Sequence, residues 1–110
     1  MATLLQRMAE ERAARDERLR IEVRDQLRAA LREFLPEKTP VILFGSVIMP
    51  GRFTENSDVD IALASEPPGM SIYQLTAQLS ERLGRRVDVL LLSECRFRDK
   101  ILLEGETWTP

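Results

Sequence analysis

Asp58 and Asp60 stand one residue apart in the segment Asp58-Val59-Asp60-Ile61-Ala62-Leu63, which alternates apolar and polar residues with the two-residue period of a strand. That period sends both carboxylates to one face, with Cα atoms about 6.5 to 7 Å apart, and leaves Val59 and Ile61 to face a core. Carboxylates so spaced can converge on a pair of divalent ions about 3.5 to 4 Å apart, the arrangement that clamps the attacking and leaving oxygens in phosphoryl transfer. By itself the pattern is weak, because an isolated acidic pair more often marks a solvated strand edge.

Two further elements strengthen it. Gly45-Ser46 directly follows the apolar run Val41-Ile42-Leu43-Phe44. A glycine there lets backbone N–H groups approach phosphate oxygens without an intervening Cβ, and Ser46 adds a hydroxyl donor. The bland alternative is a plain turn. Asp88 interrupts the apolar segment Val87 to Leu92, where an isolated charge must reach solvent, a partner or a metal. It either pairs with Arg85 or Arg86, or completes a carboxylate trio and takes or orients the proton of an acceptor hydroxyl.

Composition narrows the chemistry. The 110 residues include no histidine and one cysteine, Cys95. Relays through imidazole are therefore excluded, as are thiolate cages and imidazole-based zinc sites, so any metal is held by oxygen and magnesium, manganese or calcium is expected. Cys95 can form no internal disulfide, and its apolar neighbours predict a buried thiol. With 44% apolar and 31% charged residues the chain suits one compact core. A formal net charge of -2 gives no general attraction to a phosphate backbone, so nucleic acid is not the expected partner. No run is apolar enough to span a membrane, and the arginine- and glutamate-rich start is unlike a signal peptide. The expected location is the cytoplasm.

The elements that must position these residues are legible from periodicity and breakers. Leu4 to Leu35 contains no proline or glycine and is predicted as one long helix. Its apolar stripe is Leu19, Val23, Leu27, Leu31 and Phe34, so the second half is expected to pack, while the highly charged first half is expected to project, either as an oligomer or partner contact or simply as a solvated helical extension. Pro36 and Pro40 end the helix, and residues 37–110 are expected to form the catalytic domain. Val41–Phe44 is predicted as a buried strand and Asp58–Leu63 as a second. Ser71 with Gln74 forms a capping box for a helix over Ser71–Leu83, closed by Gly84. Val87–Leu92 is predicted as a third strand. A short helix around Phe97 to Leu102 closes at Gly105, and Thr107 to Thr109 is a possible edge strand. The fold class is α/β or α+β: a mixed sheet of three to four strands covered by helices.

Taken together, Leu43-Phe44-Gly45-Ser46, then Asn56-Ser57-Asp58-Val59-Asp60-Ile61-Ala62-Leu63, then Arg86-Val87-Asp88-Val89 resemble the minimal nucleotidyltransferases of the DNA polymerase β superfamily. The resemblance runs from Val41 to the C-terminus. It implies a polymerase-β-like fold in which Asp58, Asp60 and Asp88 hold magnesium and carry catalysis. It further implies that Gly45, Ser46, Arg52 and Ser57 bind the nucleotide, expected to be ATP. The implied reaction transfers a nucleoside monophosphate, expected to be AMP, from the triphosphate to a hydroxyl and releases pyrophosphate. Such proteins are often the antitoxin of a pair whose other member is a helical HEPN protein, and some adenylylate that partner.

Family members usually carry an arginine or another polar residue soon after the Gly-Ser pair. Here Val47-Ile48-Met49-Pro50 intervene before Gly51-Arg52, and Arg52 is expected to replace the cation. Two other classes compete with an enzyme: a module of the same fold that neutralises a partner by contact, and a homo-oligomeric structural protein whose carboxylates are merely solvated.

Overall fold

Good helix formers without a breaker give the first element its length, and the apolar stripe decides which part of it is buried. In the computed structural model, which describes every residue from Met1 to Pro110, α1 runs over Leu4–Phe34. Thr3 caps it in a reciprocal pair with Gln6. At 31 residues the helix is about 46 Å long, against a longest molecular dimension of 56 Å. Val23, Leu27, Ala30 and Leu31 are buried, whereas residues 1–15 are exposed throughout, including Leu4, Leu5 and Met8. The charged first half therefore projects, as its lack of an apolar stripe predicts.

The remaining elements are β1 (Val41–Phe44), a 3-10 turn over Gly45–Ile48, β2 (Val59–Leu63), α2 (Ile72–Leu83), β3 (Val87–Leu91), a second 3-10 turn over Leu92–Glu94, α3 (Arg98–Glu104) and β4 (Glu106–Trp108). The four strands form one mixed sheet in the order β3-β2-β1-β4. β1 lies antiparallel to both β2 and β4, and β2 lies parallel to β3, to which α2 connects it. This is a mixed α+β sheet covered by helices, as the sequence predicts. No helix is long and apolar enough to cross a membrane.

Alternation along the strands builds two layers. Val41, Leu43, Val59, Ile61, Leu63, Val87 and Val89 share one core with Val23, Leu27 and Leu31 of α1 and Leu75, Leu79 and Leu83 of α2. On the opposite face a smaller cluster joins Ile42, Ala62 and Leu92 to Ile101 of α3, and half-buried Cys95 packs against it. α3 covers only part of that face. Its closing residue Gly105 sits so tightly that an added Cβ would collide with the Ile42 side chain and come within 2.5 Å of the Ile101 carbonyl oxygen.

Arginines on α1 tie the helix to the sheet. Arg24 pairs with Glu106 of β4, whose carboxylate also accepts from the Trp108 indole, and the guanidiniums of Arg24 and Arg28 lie over the Trp108 ring. These contacts make β4 an ordered edge rather than a frayed end.

The burial contrast along α1 gives a direct test. Leu27, fully buried, is expected to cost roughly 3 kcal/mol when truncated to alanine. Leu5→Ala, on the projecting half, is expected to change stability by less than about 0.5 kcal/mol. Urea denaturation of both variants measures the difference, and comparable losses would contradict the division of the helix.

Candidate active site

The site lies on the sheet face that α3 leaves partly open, at the end where β1 finishes and where the parallel strands β2 and β3 begin. Register alone assembles it. Phe44 pairs with Asp60, and Asp60 pairs with Asp88, so one row crosses three strands and ends in two carboxylates. Adjacent strands are about 4.8 Å apart, which places Asp60 and Asp88 side by side on one face. Asp58 stands one residue before β2 begins, two residues from Asp60, and turns toward the same group of charges.

Gly45 faces this row from the end of β1. Its φ of +77° is favoured by glycine, and a Cβ built there would lie 2.7 Å from Asp60 Oδ2. Asp60 is thus pressed against the backbone of the Gly45-Ser46 turn. No side chain caps the 3-10 turn that starts there. Behind the turn, Val47 is fully buried in the main core, and Arg20 of α1 donates through Nη1 to the Val47 carbonyl at 3.0 Å while pairing with Glu17. The apolar residues after Gly-Ser therefore divide their work. Val47 anchors the turn, and Met49, largely exposed, lines a cavity of about 310 Å³ with Phe44, Gly45, Leu90 and Phe97 instead of filling the site.

Asp58 is delivered by a closed loop. The Ser57 hydroxyl accepts from the Thr54 N–H at 2.9 Å, and the Ser57 N–H donates to the Thr54 carbonyl at 3.0 Å. Arg85 donates to the Ser57 carbonyl at 2.8 Å and stacks 4.9 Å from the centre of the Phe53 ring. In this arrangement Ser57 closes the loop beside Asp58. Arg52 lies on the exposed turn after Met49 and takes part in none of the ion pairs.

Of the two arginines flanking β3, Arg86 turns to the carboxylates. Its Nε lies 3.1 Å from Asp88 Oδ1 and 3.9 Å from Asp58 Oδ2. The guanidinium pKa is raised, chiefly by the hydrogen bond to Asp88 and then by the charges of Asp88 and Asp58. Asp60, half-buried, has a raised pKa. Burial is the largest cause, followed by repulsion from Asp88 and Asp58, against which Arg86 acts in the opposite direction. As the side chains stand, no three carboxylates converge closely enough to hold an ion, and Arg86 is the charge that lies among them. The donor set is nevertheless suitable for a hard divalent cation: three acidic side chains supply oxygen only, at neighbouring positions of one face.

Arg20 was invisible as a site-building residue in the sequence, and Arg85, read there as a candidate partner of Asp88, instead holds the Ser57 carbonyl. Arg20 reaches a carbonyl 27 positions away. Nothing in local spacing announces such a contact. Arg86 carried a signal, since it neighbours a charge inside an apolar strand.

Comparison with known proteins bears on this geometry. The family model described as polymerase beta, nucleotidyltransferase matches residues 26–108. No curated protein matches the chain. A crystal structure of a toxin-antitoxin with AMP-PNP contains a chain similar to this one, with 25% identity and a TM-score of 0.60, over 78% of this chain and 73% of that one. A chain from a crystal structure of the toxin-antitoxin MntA-HepT shows the same fold at 22% identity and a TM-score of 0.55, over 80% of this chain and 71% of that one. The family match spans the Gly-Ser turn and all three carboxylate positions, and the chain belongs to the polymerase β nucleotidyltransferase family.

Proposed function

We propose that the protein is a magnesium-dependent nucleotidyltransferase that moves AMP from ATP to a hydroxyl of a partner protein, acting as the antitoxin of a pair with a helical HEPN protein. The observation that carries this reading is the closeness of Asp60 to Gly45, because it sets the carboxylates opposite the turn that would receive phosphates. The family assignment and the similarity to a chain crystallised in a toxin-antitoxin with AMP-PNP support the nucleotide and the kind of partner.

In this mechanism Asp58, Asp60 and Asp88 would hold magnesium, which would supply positive charge to the triphosphate as charge moves onto the leaving pyrophosphate. The backbone N–H groups of the Gly45-Ser46 turn and the Ser46 hydroxyl donate to phosphate oxygens and fix the triphosphate across the end of the sheet. Arg52, on a mobile-length side chain at the rim of the turn, adds positive charge to the outer phosphates. Ser57 acts by holding the loop that aims Asp58. The apolar cavity beside Gly45 has room for an aromatic base. Asp88, at the β3 edge, accepts the proton of the acceptor hydroxyl as its oxygen attacks the α-phosphorus and the bond to pyrophosphate breaks.

A module that neutralises its partner by contact alone is the second reading. What favours it is the replacement of a cation after the Gly-Ser pair by Val47, which is spent entirely on the core.

Three experiments check the site. Incubation with labelled ATP, magnesium and the partner should label the partner, and Asp58→Ala combined with Asp60→Ala should abolish the transfer. Labelling that survives the double change would refute the enzyme reading, and tight partner binding without any labelling by the unaltered protein would favour the contact module. Gly45→Ala forces a Cβ onto Asp60 Oδ2 in a strained backbone and is expected to reduce transfer by at least about tenfold, the effect of misplacing reacting groups by part of an ångström. Undiminished transfer by a folded Gly45→Ala variant would contradict the close approach.

The third is pH dependence without divalent ions. Because the native pKa of Asp60 is raised above its unfolded value, the native state binds that proton more tightly. The contribution of this one group to stability is fully present below the ordinary aspartate range and is lost as pH rises through the raised value. Asp60→Asn is therefore expected to be more stable than the unaltered protein at neutral pH, with the advantage shrinking on acidification. Urea denaturation across pH measures it, and an asparagine variant less stable at neutral pH would contradict the origin of the shift.

A further inference from the structure

Arg86 is the one cation in contact with the carboxylate group, and its placement is specific. It bridges Asp88 of β3 at 3.1 Å and Asp58, just before β2, at 3.9 Å, while Asp60 of β2 stands in register beside Asp88. Backbone geometry keeps it there: the Arg86 carbonyl accepts the Val59 N–H at 3.0 Å, so the residue is pinned where β2 and β3 begin. Its neighbour Arg85 is committed elsewhere, to the Ser57 carbonyl. Yet the Arg86 side chain is 72% exposed, and the pair it makes is of the weak, solvent-screened kind. A counter-ion with these properties neutralises the repulsion among the acids without being held tightly.

We propose that Arg86 is an exchangeable counter-ion of the carboxylate site: it occupies the space between Asp58 and Asp88 in the metal-free protein, and a divalent cation must displace it to bind. This inference rests on the proposed metal-binding role of the three carboxylates. It assigns Arg86 as a positioning residue that competes with the ion for Asp58 and Asp88 and so sets how tightly that ion is held.

The test is direct binding of Mn2+ to the nucleotide-free protein at low ionic strength, followed by the paramagnetic resonance signal of free Mn2+. Arg86→Ala should bind Mn2+ roughly two- to five-fold more tightly than the unaltered protein, the range set by losing one exposed ion pair. Arg86→Lys, which retains a competing charge, should stay close to the unaltered protein, and added salt should narrow the difference. A second readout is thermal melting. Metal-free Arg86→Ala should melt below the unaltered protein, and saturating Mn2+ should raise its Tm by more. Saturable binding of equal or weaker affinity in Arg86→Ala would overturn the exchange while leaving the metal site standing. No saturable binding in any of the three proteins would overturn the exchange and the metal site together.

Discussion

Three acidic side chains crowded at one end of a sheet repel one another, and the site is organised around containing that repulsion. Asp60 and Asp88 are paired across parallel strands, and Asp58 precedes Asp60 by two residues, near the same charges. The effect is visible in Asp60, whose charged form is disfavoured by burial and by both neighbours. Such repulsion makes a nearby positive charge favourable to the ionised form of Asp60. Arg86 supplies such a charge, bonded to Asp88 and close to Asp58.

The remainder of the fold holds this cluster in register. Val59 and Ile61 alternate with the acids and bury themselves under α1 and α2, so a one-residue slip of β2 would send the carboxylates into the core. Arg20 clamps the turn after β1 from one side, and Arg85 clamps the loop before Asp58 from the other. Both arginines act on backbone carbonyls. They thereby fix the approach of Gly45 to Asp60 without contributing charge inside the site.

Much of this was legible in the residues. Ser71 and Gln74 announced the start of α2, and the capping box is present with both hydrogen bonds. Gly84 caps that helix as expected. The spacing of Leu19, Val23, Leu27 and Leu31 correctly divided α1 into packed and projecting halves. Strand alternation put Asp60 and Asp88 on a common face, although β2 begins at Val59 and β3 ends at Leu91, each one residue short of the expected span. Contacts between distant segments were not legible. Gly105 closes α3 as expected, but its φ is ordinary, and what requires glycine there is the nearness of Ile42, set by the β1–β4 pairing. Val47 to Met49 looked uniform in sequence, and only the 3-10 turn separates a core anchor from a cavity wall. The choice of Arg86 over Arg85 as the partner of Asp88 likewise depends on which way each side chain leaves the β3 edge.

The central claim is that the acids of β2 and β3 and the amides after β1 grip one metal-triphosphate between them. Crystals grown with Mn2+ and a non-hydrolysable triphosphate test it most directly, since anomalous scattering locates the ion independently of the protein. The expected result is a peak within coordination distance of Asp58 and Asp60, with the phosphates against the Gly45-Ser46 backbone. A triphosphate bound away from that turn, or an ion held without either aspartate, would contradict the account.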